Sequence, residues 1–373
     1  MENGAKMKIL SWYTVSHFIR TLLLLTAIFF GMILLFDSIE LLRRSSKHIS
    51  VPFTTIIQMA LLKLPATGQE VLPFTILFST IMCFWSLTKK HELIIYRSSG
   101  LSAWQFILPV SLAGFAFGLI YLVIFNPISA VMTNKYERME SRYLGTEQKL
   151  VSISRNGLWL KQDQRNPVTK EQQNIIFHTQ NIDLKNWRMD GITVLYTSNT
   201  HRFQKRIDAQ SAVLKDGYWE IYEAYINTPT QRSVHQETYK LKTNLTKKEI
   251  IESFSDPRTI SFWSLPDYIR LMENSGISSR AVRMHYYTLM IQPLFFAVIV
   301  ILAASLCLRT SRMQNGLQLL VLTIFTAFFL FFISNLLRAL GTSEQLPVIL
   351  AAWAPSILTF LIAVNIIAIT EDG

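Results

Sequence analysis

The chain has 373 residues, half of them hydrophobic and only 16% charged, well below the roughly 25% charged residues of an ordinary soluble domain. That balance makes a membrane protein the first expectation. Lys and Arg outnumber Asp and Glu by 36 to 25, but the excess is spread along the chain without a basic block, which argues against a nucleic-acid binder.

The first eight residues are polar and basic. The apolar run behind them lacks a small-residue cleavage site before Phe36-Asp37-Ser38, so it reads as a retained helix rather than a removed signal peptide. A helix needs about 20 apolar residues to cross a bilayer core of about 30 Å. Six stretches qualify: residues 15–36, interrupted by Arg20; 56–88, with Lys63 and Glu70 in its first half; 104–125; 285–308; 317–337; and 346–369, the last three free of Asp, Glu, Lys and Arg. Lys6, Lys8, Lys89, Lys90, Arg97, Arg309 and Arg312 fall in one set of short connections, and Arg43, Arg44, Lys47 and Arg338 in the other. The positive-inside bias therefore puts both termini and the 89–100 connection in the cytoplasm.

Between the third and fourth spans, residues 131–284 form a polar stretch that reads as β structure and is expected to face away from the cytoplasm. Runs rich in β-branched and aromatic residues occur at 152–161, 175–179, 192–196, 218–226 and 233–243. They are punctuated by Arg155-Asn156-Gly157, by residues 186–191, by Lys215-Asp216-Gly217 and by Asn227-Thr228-Pro229. Short strands in series suggest a sandwich or jelly roll. Ser264-Leu265-Pro266-Asp267 then opens an amphipathic helix, for which Gly276 offers a stop. The expected fold is an α-helical integral membrane protein with six transmembrane helices, three plus three, and an inserted all-β, jelly-roll-like periplasmic domain. Its expected parts are helices one to three in 1–130, the β domain in 131–263, a connecting amphipathic helix in 264–283, and helices four to six in 284–373.

The chain carries no GxxxxGK[ST] loop, HExxH or GxSxG, so nothing resembles a nucleotide, metal or hydrolytic site. The seven histidines are scattered, and Cys83 and Cys307 sit in apolar runs as expected of buried thiols. Transport would draw its energy from an ion gradient or from a partner that hydrolyses ATP. Ion-coupled carriers place carboxylates inside the membrane; here only Asp37 and Glu70 are candidates, with Lys63 seven residues from Glu70 and placed to neutralise it. An alternative of a different class is a non-transporting scaffold that anchors an envelope assembly through its β domain.

The connection Lys90-His91-Glu92-Leu93-Ile94-Ile95-Tyr96-Arg97-Ser98-Ser99-Gly100 resembles the coupling helix of the lipopolysaccharide export permeases, the LptF/LptG family. Gly157-Leu158-Trp159, Lys242-Thr243-Asn244-Leu245-Thr246 and Gln292-Pro293-Leu294 add further matches in order, the second of them pointing to the G-type subunit. The resemblance covers essentially the whole chain. It implies a permease subunit of an ABC transporter that extracts lipopolysaccharide from the bacterial inner membrane and delivers it to a periplasmic bridge toward the outer membrane. The implied partners are the F-type paralogue in a heterodimer, two copies of the cytoplasmic ATPase LptB, and the bitopic periplasmic protein LptC. The chain itself is expected to be non-catalytic and to hold no cofactor, ATP being bound by the partner. Glu92, Leu93, Ile94, Tyr96 and Arg97 become the expected ATPase-coupling residues. Arg43, Arg44 and Lys47, at the outer end of span one, become the expected contacts for lipid phosphates, which Arg can grip bidentately.

Overall fold

In hydrocarbon no water is present to bond a peptide group, so each long apolar stretch of this chain satisfies its backbone internally as a helix. The computed structural model describes residues 2–46, 51–90, 92, 102–144, 151–154, 157–165, 172–183, 187–198, 203–229, 232–243, 256–274, 278–310 and 316–371. Helix α1 spans Glu2–Ser45 and α2 Phe53–Lys89. Helix α3 (Ala103–Ile120) continues through a π-helical turn, Tyr121–Phe125, into α4 (Asn126–Tyr143). After the insert come α5 (Leu265–Asn274), α6 (Arg280–Thr310), α7 (Gly316–Thr342) and α8 (Val348–Glu371). Six of the resulting helices are long and apolar enough to cross a membrane, α3 and α4 together making the third. Two compact units result: Met1–Gly145 with Arg258–Leu265 and Arg280–Gly373, and Thr146–Pro257 with Pro266–Ser279.

In the membrane unit α6 is the central helix. Of its most apolar stretch 89% is buried, against 17% for α1 and for α7. Its Phe296, Ile299, Val300, Ala303 and Ala304 pack with Phe84, Phe106, Ile107 and Val110 in one core. Helix α3 approaches it closely through small residues. A Cβ at Gly118 would stand 2.5 Å from Pro293 Cα, and one at Gly114 would stand 2.9 Å from Val300 Cγ2. One turn earlier the Ser111 hydroxyl donates to the Ala297 carbonyl at 3.0 Å. Small residues at such spacing let two helices touch backbone to backbone where no hydrophobic effect drives them together.

The two halves differ in length. The first three spans have 36, 37 and 41 residues and the last three 29, 25 and 23. At 1.5 Å per residue the first set runs to roughly 54–62 Å, far beyond the roughly 30 Å of hydrocarbon. The excess lies at the end opposite Lys89. There Leu41 of α1, Ile56, Met59, Ala60 and Leu62 of α2, and Tyr136 of α4 form a separate apolar cluster. The polar stretch expected to begin the insert at 131 is thus helical as far as Tyr143, and the first strand starts at Val151.

At the same end Arg280 ties α6 to the turn after α7. Its Nε donates to the Gly341 carbonyl at 2.8 Å and its Nη2 to the Leu346 carbonyl at 3.0 Å. Glu344 of that turn sits in the left-handed region at φ 70°. Arg280→Met is expected to lower the Tm of the detergent-solubilised chain, since each hydrogen bond from a charged donor contributes about 1.5–3 kcal/mol. An unchanged Tm would mean that other donors replace the guanidinium.

Among the described residues the insert is one antiparallel sheet of seven strands in chain order: β1 (Val151–Ser154), β2 (Gly157–Arg165), β3 (Gln172–Asp183), β4 (Arg188–Ser198), β5 (Phe203–Lys215), β6 (Tyr218–Asn227) and β7 (Val234–Lys242). Asp216-Gly217 makes a two-residue hairpin between β5 and β6, with Gly217 at φ 83°, the positive φ that such turns require. A row of unpaired positions crosses the sheet. Pairing skips from Thr179↔Ile192 to Asn181↔Asp190, from Ile192↔Ala209 to Asp190↔Ser211, and from Ala209↔Ala224 to Ser211↔Tyr222. Gly191 at φ 63° and Glu223 at φ 54° lie in that row. The buried face changes parity there: Ile192, Val194 and Tyr196 but Met189 on β4, and Trp219 and Ile221 but Ala224 on β6. The sheet is thereby creased, and both halves bury their apolar residues in one core. Phe177 from one side meets Trp219 from the other at 5.5 Å. The buried Gln162 of β2 closes the fold by donating to the Lys242 carbonyl at 3.1 Å and accepting from Thr243 Oγ1 at 2.8 Å. The all-β part of the insert is a single antiparallel meander folded on itself.

Candidate functional site

Two places in the membrane unit carry the side chains singled out above. The first is the connection after α2. Leu93, Ile94, Tyr96 and Arg97 lie outside the described residues, whereas Glu92 is described. The Tyr13 hydroxyl of α1 donates to Glu92 Oε1 at 3.3 Å. Glu92 Oε2 is buried and has no hydrogen-bond partner among the described residues. The same holds for His17 Nε2, one turn beyond Tyr13 on α1. The acidic residue thus sits against the start of α1, held by a side chain 79 positions away. Nothing in the spacing of Tyr13 and His17 marked them for this; the only signal was two polar rings four residues apart at the N-terminal edge of an apolar run.

The second place is the far end of α1. Extension of α1 to Ser45 puts Arg43 and Arg44 in its last turn; Lys47 lies outside the described residues. The two arginines have different surroundings. Arg43 pairs with Glu40 of its own helix at 2.8 Å and its side chain is 76% exposed. Arg44 bridges from α1 to α4, with Nη1 2.7 Å from Glu140 Oε1 and Nε 3.5 Å from Glu40. Arg43 is accordingly the more available cation, and Arg44 is engaged in joining two helices.

The carboxylates of the membrane spans have partners of their own. Lys63 and Glu70 do not neutralise one another as their spacing suggested. Lys63 Nζ lies 2.6 Å from Asp37 Oδ1, tying α2 to α1, and Glu70 pairs with Arg258 at 3.0 Å. Seven residues put them on nearly one face but two turns, about 10 Å, apart along α2, so each reaches a different neighbour. Arg258 opens a segment that also bonds α4, the Phe262 amide donating to Asn126 Oδ1 at 2.8 Å beside the π-helical turn. Its Phe262 ring stacks on Tyr286 of α6 at 5.3 Å.

The sequence pattern described as "Lipopolysaccharide export system permease LptF/LptG" matches residues 12–368. The chain is 24% identical over 312 residues to the lipopolysaccharide export system permease protein LptG of Escherichia coli K12, covering 81% of this chain and 82% of that protein. The LptG of Escherichia coli O6:H1 gives the same figures. A match that runs through both sets of three helices and the folded meander between them shows that this chain belongs to the LptF/LptG family of lipopolysaccharide export permeases.

Proposed function

We propose that this chain is the G-type permease subunit of an ABC transporter that extracts lipopolysaccharide from the inner membrane and passes it toward a periplasmic bridge. The observation that carries the reading is the family match across residues 12–368. Membership makes the chain a multi-pass inner-membrane transporter subunit that leaves ATP hydrolysis to a separate partner. The G-type assignment is supported by the two LptG relatives and by the run from Lys242. The assembly proposed has an F-type paralogue, two copies of the ATPase LptB on the 89–100 connection, and LptC; this chain holds no nucleotide itself. Purification in detergent followed by subunit identification tests it. Recovery of an F-type chain and an ATPase, and ATP-dependent release of lipopolysaccharide from vesicles by that complex, are expected. Recovery of the chain without an ATPase would leave the scaffold reading instead.

The orientation proposed places both termini in the cytoplasm and the β insert in the periplasm, supported by the basic residues of the 89–100 connection. Asp190→Cys or Asp216→Cys in intact spheroplasts is expected to react with a membrane-impermeant thiol reagent. Reaction only after membrane disruption would reverse the orientation.

Arg43, Arg44 and Lys47 are proposed to meet the phosphates of the lipid as it rises from the bilayer. Arg43→Ser with Lys47→Ser is expected to weaken lipopolysaccharide binding, each charge-assisted bond contributing about 1.5–3 kcal/mol before compensation. Arg44→Ser is expected to loosen the α1–α4 contact as well, by up to about 1 kcal/mol for a half-exposed pair. Photo-crosslinking from position 43 to lipopolysaccharide is the measurement, and an unchanged transport rate in the double variant would leave these residues as interfacial anchors.

A further inference from the structure

Glu92 would ordinarily be assigned a single task, reception of the ATPase by its carboxylate. Its surroundings give it a second one. One oxygen accepts the Tyr13 hydroxyl at 3.3 Å. The other is buried without a hydrogen-bond partner among the described residues, as is His17 Nε2 on the same helix. Tyr13 and His17 are i and i+4 on α1, so they point along one face toward the connection. Directly beyond them α1 is gripped by the core: Phe18 and Leu22 are 0% and 2% exposed and pack in the central cluster with α2 and α6, and Cys83 of α2 contacts the Thr14 carbonyl at 3.9 Å. Further out α1 is bare on most of its apolar stretch, until its far end is tied again by Asp37 to Lys63 and by Arg44 to Glu140. A continuous helix held at its ends and loosely packed between them transmits displacement along its axis.

We infer that Tyr13 is a positioning residue that ties Glu92 to α1, so that movement imposed on Glu92 by the ATPase is carried by α1 to its outer end. This rests on the coupling role proposed above. The tie is intramolecular, and it predicts variants that keep the ATPase bound yet lose the conversion of its work into lipid movement.

The test uses the whole complex in reconstituted vesicles, with three readouts: ATPase recovered with the chain, ATP turnover, and lipopolysaccharide released per ATP. Tyr13→Phe removes only the hydroxyl. It is expected to retain the ATPase and most of the ATP turnover while lipid released per ATP falls about fivefold, the fold-change of one ordinary hydrogen bond. A ratio equal to the parental one overturns the tie, and so does loss of the ATPase, which would make the hydroxyl part of partner binding. The double variant Tyr13→Phe/Glu92→Ala separates the remaining possibility. If the two side chains act as one unit, its ratio equals that of Glu92→Ala alone; if the two losses multiply, they act independently and the inference fails. Failure of the underlying functional reading looks different, because the parental complex would then release no lipopolysaccharide at all.

Discussion

Replacing Gly118 by leucine is expected to abolish accumulation of folded chain in the membrane or to leave a form that unfolds in mild detergent. Even one carbon at this position would stand 2.5 Å from Pro293 Cα and 3.1 Å from Pro293 Cβ, and backbone cannot move aside as a side-chain tip can. Overpacking of a core typically costs about 1–3 kcal/mol, and more where backbone must shift. Here the contact joins α3 to α6, the most buried helix of the unit, so displacement of α3 opens the central core around Phe296 and Val300. Gly114→Leu is expected to be milder, because the nearest atom is the end of the Val300 side chain at 2.9 Å. Gly31→Leu is a suitable control, since nothing lies within 4 Å of its Cβ position. Expression, detergent stability and thermal unfolding of the three variants give the ranking, and a Gly118→Leu chain as stable as the Gly31 control would show that α3 does not approach α6 this closely.

That contact also gives a physical meaning to a sequence feature. Gln292-Pro293-Leu294 was noticed in the chain as a resemblance alone; in the fold, Pro293 supplies the surface on which Gly118 sits. The Gly114-Phe115-Ala116-Phe117-Gly118 spacing is a small-residue helix contact, a signal that the reading of the sequence passed over. Lys242-Thr243 likewise turns out to close the β insert onto Gln162, while Asn244, Leu245 and Thr246 lie outside the described residues. Trp159 of Gly157-Leu158-Trp159 packs tilted against His178 across the β2–β3 pair, ring centroids 4.2 Å apart.

The six spans were legible because apolar length is a strong signal, and their number and order agree with the structure. What hydropathy could not give is where the helices stop once they leave hydrocarbon. Residues 37–45 of α1 and 126–143 of α4 are polar enough to read as loop, yet they stay helical because Leu41, Tyr136 and their neighbours bury one another beyond the bilayer. In the insert, five of the apolar-aromatic runs fell on strands, but β5 was missed. Its Gln204, Lys205, Arg206, Asp208 and Gln210 dilute the apolar signal, and the crease splits its inward residues into Ile207 on one side and Ala212 and Leu214 on the other, so no period of two survives along the strand. The run at 152–161 covers two strands joined by a tight hairpin, Ser154 pairing with Gly157. Contacts between residues distant in sequence, such as Tyr13 with Glu92 or Lys63 with Asp37, leave no local trace. A carboxylate's partner is chosen by the packing of helices and not by its sequence neighbours.

Charge reversal at Glu92 is expected to have the largest functional effect. On the proposed coupling role, the carboxylate, in a connection that also carries Lys89, Lys90 and Arg97, accepts bonds from an arginine of the ATPase, and Leu93, Ile94 and Tyr96 are proposed to add apolar contact, combining a charge-assisted pair with packing. Truncating one member of a desolvated pair leaves the other unmatched, and Glu92→Ala is therefore expected to cost about 2–5 kcal/mol of coupling, less if the site is wet. Glu92→Arg goes further. It places a guanidinium among three cations, opposes an arginine on the partner, and puts a donor where the Tyr13 hydroxyl needs an acceptor. The expected phenotype is a complex that loses its ATPase or hydrolyses ATP without moving lipid, and an acidic replacement of the facing arginine on the ATPase is expected to restore transport in part. Reconstitution with parental and charge-reversed ATPase measures both. Transport by Glu92→Arg at the parental rate would remove the coupling role along with the α1 tie that depends on it.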